Sequence, residues 1–164
     1  MRLADACDEL RNIRPDRDAA FDDQSEFFRI LAKSRPALQA YLLADEALAN
    51  GILSPQDRSR IALAVSEING SGYDVSVQTR AARDAGVAER DVELARRAAA
   101  TDPRTRSLLR FVQALVLQRG EIEDGDFETL RQGGFRDAEI VEIVANVALN
   151  IFMNYLNMAA GKPA

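Results

Sequence analysis

Apolar residues recur along this chain at the spacing of helices rather than strands. Within residues 22–34, Phe27, Phe28 and Leu31 fall on one helical face, and Pro36 restarts the chain. Residues 3–13 form an earlier short helical pattern that ends before Pro15. Residues 37–49 continue to Asn50-Gly51, a natural C-cap. Ser54-Pro55-Gln56-Asp57 is a strong helix start, with Ser as N-cap, Pro at the first helical position and Asp57 placed to complete a capping box. That helix carries Ile61, Ala62, Leu63, Ala64, Val65 and Ile68 before Asn69-Gly70, so it is apolar over most of its circumference and is expected at the centre of the fold. Further helices are expected over 71–86, 88–99, 103–119 (opening with Thr101-Asp102-Pro103), 125–132 (ending at Gly133-Gly134) and 138–159, the last capped by Asp137. The pattern predicts an all-α protein.

The last helix has an unusual distribution. Glu139, Glu142, Asn146, Asn150, Asn154 and Asn157 fall within an arc of about 120° at 100° per residue. The remaining surface is apolar, so the helix should be buried on several sides, with part of it facing another subunit. It reads as too polar and too short to span a membrane. The stripe of Asn146, Asn150 and Asn154 reads either as a buried hydrogen-bond network between helices or subunits, or as a ligand site.

Composition narrows the chemistry. The chain has 164 residues, 47% hydrophobic and 29% charged, an ordinary globular balance divided into an N-terminal segment (1–20) and a helical domain (21–164). Its net charge of −5 makes it a poor partner for nucleic acid or an anionic membrane. It has no histidine and one cysteine, Cys7, which removes His-dependent triads, His/Cys zinc sites and any intrachain dithiol cycle. No metal and no cofactor are expected. Residues 1–20 carry acids at 5, 8 and 9 and no apolar h-region, so no signal peptide is expected and the cytoplasm is the expected location.

Residues 58–86 read RSRIALAVSEINGSGYDVSVQTRAARDAG. This segment resembles the core of the carboxymuconolactone decarboxylase superfamily, which includes the alkylhydroperoxidase D-like proteins. Asn69, Gly70, Gly72, Tyr73, Val75, Ser76, Thr79, Ala85 and Gly86 match the family pattern. Asp102-Pro103, Leu109-Arg110-Phe111, Gly134-Phe135, Asp137-Ala138-Glu139-Ile140 and Asn154-x-x-Asn157 extend the resemblance over about residues 25–163. It implies a single-domain alkylhydroperoxidase D-like helical fold, assembled as a homo-oligomer, a trimer or a hexamer. It also implies the family's active positions, and each of these is replaced. Ser71 stands at the first cysteine of the family's Cys-x-x-Cys-x3-His motif, Asp74 at the second and Gln78 at the histidine; Ser59 stands where peroxidase members carry a glutamate. Serine loses the thiolate nucleophile, and Gln cannot relay a proton as His does.

The remaining residues read two ways. Ser71 and Asp74 are spaced as a second capping box at a helix start. Alternatively, Ser71, Asp74 and Gln78 share one helix face, where Asp74 could act as an acid or base with Tyr73 and Glu67 assisting. Glu67 also reads as a residue at the exposed edge of its helix. Arg80, Arg83, Arg96, Arg97, Arg104, Arg106 and Arg110 read as solvated faces with acids nearby, and Cys7 as incidental or intermolecular. Three functions follow: a family member inactive as a dithiol peroxidase, a cofactor-free decarboxylase or isomerase of a small organic acid, or a non-catalytic scaffold or small-ligand binder using the pocket near Ser71, Asp74 and Gln78.

Overall fold

A computed structural model describes residues 27–160. Cys7, segment 1–20 and the expected helix at 3–13 lie outside the described residues. Among those described, regular structure is entirely helical, and it falls into two compact units divided at Gly51.

In the first unit, residues 27–31 are helical and α1 (Arg35–Ala49) follows. Ser34 caps α1, its Oγ accepting the Ala37 N–H at 3.4 Å, so the helix opens two residues before the expected start with Pro36 inside its first turn. Phe27 packs edge-on against Tyr41, ring centroids 4.9 Å apart, and against Phe28 at 5.1 Å.

The second unit holds α2 (Pro55–Ile68), α3 (Gly72–Asp84), α4 (Glu89–Arg96), α5 (Pro103–Leu117), α6 (Asp124–Gln132) and α7 (Asp137–Ala159). As its composition requires, α2 is central: Ile61 through Ser66 are buried in succession, and α3, α4, α5 and α7 all pack on it. Its start is half the expected box. Ser54 Oγ accepts the Asp57 N–H at 3.0 Å, but the Asp57 carboxylate turns to Arg60 at 3.1 Å and Arg104 at 3.6 Å.

Two helices stop short of expectation for the same reason. After α4, Ala98 takes φ 49°; after α5, Arg119 takes φ 56°. Left-handed termination by non-glycine residues leaves little trace in a sequence. Asp102 caps α5, its carboxylate accepting the Thr105 N–H at 2.7 Å, and this bond holds its carboxyl below the usual range.

Arg136, rather than Asp137, is the N-cap of α7, because Glu139 reaches back to the Arg136 N–H at 2.9 Å. Burial alone would push the Glu139 carboxyl up. That bond, with the charge of Arg104 at 2.7 Å, outweighs burial and leaves it lowered. The Arg104 guanidinium also lies 3.7 Å above the Phe135 ring. Glu142 binds the backbone N–H groups of Ile52 and Leu53 at 2.9 and 3.1 Å, tying the chain ahead of α2 to α7.

At 23 residues, α7 is long and apolar enough to cross a membrane by length and composition, which corrects the expectation that it is too polar and too short. Its polar stripe, however, lies toward α2 and α3, where Asn146, Asn154 and Asn157 are buried.

Close packing explains one glycine. Gly133 ends α6 with an ordinary φ of −69°, yet a Cβ there would lie 2.0 Å from Ser107 Oγ and 2.8 Å from Ser107 Cβ. We expect Gly133→Ala to destabilise the protein by about 1–3 kcal/mol. Gly125→Ala, which meets open space within α6, should be neutral or stabilising. Chemical unfolding of the two variants beside the native protein checks both.

Candidate functional site

The turn between α2 and α3 places the site. Gly70 adopts φ +69°, which lets the Ser71 N–H return to the Ser66 carbonyl at 3.0 Å and close α2. From there α3 begins at Gly72, with Asp74 in its first turn. Ser71, Asp74 and Gln78 are all buried on one face of α3, as their spacing predicts, and Asp74 is 1% exposed.

Asp74 is the centre of a polar node. Ser71 Oγ donates to its Oδ2 at 2.5 Å, and Asn154 Nδ2 donates to the same oxygen at 3.0 Å. Asn157 Nδ2 donates to Oδ1 at 2.6 Å. Asn154, wholly buried, also donates to Ser66 Oγ at 3.1 Å and accepts from Asn69 Nδ2 at 2.9 Å. Ser66 Oγ donates onward to the Ala62 carbonyl at 2.8 Å. One acceptor is left over: Asn157 Oδ1 is buried without a donor.

The second capping box is therefore not formed. Ser71 sits at the N-cap, but its side chain accepts no backbone N–H of α3. A buried carboxylate is the stronger acceptor, and the Ser71 hydroxyl turns to it.

The asparagine stripe divides along its length. Asn146 and Asn150 donate to carbonyls of their own helix, those of Glu142 and Asn146, each at 2.8 Å. Only Asn154 and Asn157 reach across to α2 and α3. Asn157 belongs to the polar arc and to the Asn154-x-x-Asn157 match, but nothing in the sequence marks its bond to Asp74. Ser66 carried no signal at all.

The other candidates stand apart. Glu67 pairs with Arg96 at 3.1 Å at the edge of α2, each side chain 35% exposed. Ser59 and Tyr73 are partly buried, and no hydrogen bond links Ser59 or Glu67 to Asp74. Arg83 pairs with Glu89, which raises the guanidinium and lowers the carboxyl, and Arg106 donates to the carbonyls of Ala100 and Thr101. The hollows at α6 (about 490 Å³, lined by Asp124, Gly125, Phe127, Glu128 and Arg131) and at 117–123 (about 550 Å³) are open and lie away from Asp74. No group of three or more potential metal-ligating acids or cysteines occurs among the described residues.

Chemically, the node is a carboxylate bound by Ser71, Asn154 and Asn157 that fastens the start of α3 and the end of α2 to α7. We expect Asn154→Ala to leave Ser66, Asn69 and Asp74 each short of a partner and to cost about 2–4 kcal/mol in unfolding free energy. Asn150→Ala, whose amide only returns to its own helix, should cost well under half of that. Denaturant titration of the two variants compares them.

Comparison with known proteins agrees with this architecture. The carboxymuconolactone decarboxylase family model matches residues 36–102. The chain is similar to an uncharacterised peroxidase-related protein from Silicibacter sp. TM1040, with 27% identity, TM-score 0.72, and coverage of 81% of this chain and 72% of that one. It is similar to a protein of unknown function from Agrobacterium tumefaciens whose name refers to antioxidant defence and AhpD, with 25% identity, TM-score 0.72, and coverage of 81% and 94%. An alkylhydroperoxidase AhpD-core protein from Ralstonia eutropha JMP134 shares the fold over the whole chain and 90% of its own, with TM-score 0.79 and 23% identity. A debrominase solved with 2,3,4-tribromopyrrole shares it with TM-score 0.73 and 20% identity over 93% of this chain and 87% of that one. No protein of curated function matches significantly in sequence. The carboxymuconolactone decarboxylase family match covers under half of the chain, and the solved structures share its all-helical, alkylhydroperoxidase D-like fold.

Proposed function

We propose that this protein is a non-catalytic member of its superfamily, a scaffold or small-ligand binder without dithiol peroxidase activity. The observation that carries this reading is the Asp74 carboxylate, 1% exposed and bound by Ser71, Asn154 and Asn157. A base that must take a proton from substrate needs a free lone pair within reach of it. These oxygens already serve three donors inside the packed core. The serine hydroxyl at 71 supplies no thiolate, and its proton is committed to Asp74. The same geometry disfavours the acid–base enzyme, whose proton carrier would be this carboxylate.

The expected result of a peroxidase assay with a dithiol reductant and an organic hydroperoxide is no turnover above background. A variant carrying Ser71→Cys, Asp74→Cys, Gln78→His and Ser59→Glu should gain measurable turnover at a cost in stability, because Asn154 and Asn157 lose their carboxylate partner. Family-like turnover by the native protein would overturn the reading, and Cys7 would then be the first residue to replace.

The reading includes self-association, supported by the outer face of α7. Val141, Val144, Ala148, Phe152 and Tyr155 fall within about 80° of one another on that helix, and all five are exposed. They lie opposite the asparagine stripe, so α7 turns its polar side inward and an apolar side outward. An apolar helix face of that length suits burial against another copy. Light scattering after size exclusion should give three or six times the 18.1 kDa chain mass, and Tyr155→Glu should shift the distribution toward one. A single mass unaffected by Tyr155→Glu would remove this part of the reading. A cytoplasmic location belongs to the same proposal, supported by the low cysteine content.

A further inference from the structure

The exposed apolar face of α7 has an internal symmetry. Ala148 lies at its middle, with Val144 and Phe152 four residues to either side and Val141 and Tyr155 seven residues to either side. All five are exposed. A half-turn about an axis through Ala148, perpendicular to the helix, carries position 144 onto 152 and position 141 onto 155 in both height and angle. The face therefore complements itself when a second copy is laid antiparallel across it. Each ring then meets a valine, Phe152 by Val144 and Tyr155 by Val141, so the contact is equally wide on both sides of the crossing. The small Ala148 at the centre lets the helix axes come close. A parallel pair would set ring on ring at one end and valine on valine at the other, and the helices would splay. Charge favours the same direction. No charged residue lies between Glu142 and Lys162, so this part of α7 brings no charge into the contact. Antiparallel packing also sets the positive start of each helix beside the negative end of the other.

We propose that this face docks on the same face of a second copy of the chain, as an antiparallel pair of α7 helices related by a two-fold axis beside Ala148. Such a contact uses one patch twice and joins chains two at a time. Of the two assembly sizes given above, six chains accommodate it throughout and three do not. The inference rests on the self-association reading and adds to it which residues meet and in which direction.

Disulfide trapping tests it in the full chain carrying Cys7→Ser, which removes the one native thiol. With Ala148→Cys added, mild oxidation should convert most of the chain to a covalent species of twice the 18.1 kDa mass on a non-reducing gel, because the two introduced thiols face each other across the axis within reach of a disulfide. Val141→Cys in its place should trap nothing. Seven residues along the helix put each of those thiols about 10 Å from the axis, on opposite sides of it, too far apart to bond. Val141→Cys together with Tyr155→Cys should restore the covalent pair. Trapping through Val141→Cys alone as readily as through Ala148→Cys overturns the proposal, since it marks a parallel contact or random collision. So does a lack of trapping in both Ala148→Cys and the double variant while light scattering shows the native protein associated, or a native mass of three chains. In those cases self-association stands and the two-fold contact falls. A native mass of one chain removes both.

Discussion

One buried carboxylate sets much of the geometry of the second unit. Asp74 is removed from water, so its oxygens must find donors within the protein or the fold loses several kcal/mol. Ser71 supplies one donor locally, but the other two come from α7, some eighty residues away in sequence. That requirement fixes where the last two turns of α7 lie. It also fixes the rotation of α7 about its axis, because Asn154 and Asn157 must face inward together. Asn154 then has a free donor and a free acceptor, and α2 and the turn after it satisfy both through Ser66 and Asn69. Each member of the chain limits the positions open to the next, which is how a polar network specifies one arrangement among several that an apolar core would tolerate.

The apolar core provides the platform. Ile61, Leu63, Ala64 and Val65 of α2 pack with Leu108, Leu109 and Val112 of α5 and with Ile140, Ile143 and Val147 of α7. Those contacts hold the first half of α7, and the Asp74 node holds the second. Glu142 adds a third tie by gathering the N–H groups of Ile52 and Leu53. The inward side of α7 is thus fully used, while apolar Val141, Phe152 and Tyr155 stay exposed on its other side.

How much of this could be read from the chain differs from residue to residue. The helices were legible because their starts obey local chemistry: Ser34, Ser54 and Asp102 each accept a backbone N–H within their own first turn. Helix ends were less so, because Ala98 and Arg119 turn left-handed without the glycine that normally signals it. The burial of Ser71, Asp74 and Gln78 on one face followed from spacing alone. Their bonding did not. Local pattern treats the Ser71 hydroxyl as an acceptor for the N–H groups of α3, whereas in the fold it is turned to donate to the Asp74 carboxylate. Likewise the asparagine stripe was plain, but nothing in it distinguishes Asn150, which bonds its own helix, from Asn154, which bonds two others. That difference depends on where α7 meets α2, a tertiary fact. Glu142 was legible only as a member of the polar arc, because its partners are the backbone N–H groups of Ile52 and Leu53, distant in sequence.

The node also shows why this fold cannot hold both solutions at position 74 at full strength. A cysteine there offers one weak sulfur acceptor in place of two carboxylate oxygens. The amides of Asn154 and Asn157, both buried, would be left with poor partners, and unmet buried donors are costly. A dithiol site needs its second sulfur accessible and free to move toward the first, whereas Asp74 works by being inaccessible and held from three directions. The two demands oppose each other in burial, in mobility and in hydrogen bonding. An aspartate at 74 therefore commits the start of α3 to holding the helices together, and the asparagines of α7 complete that commitment.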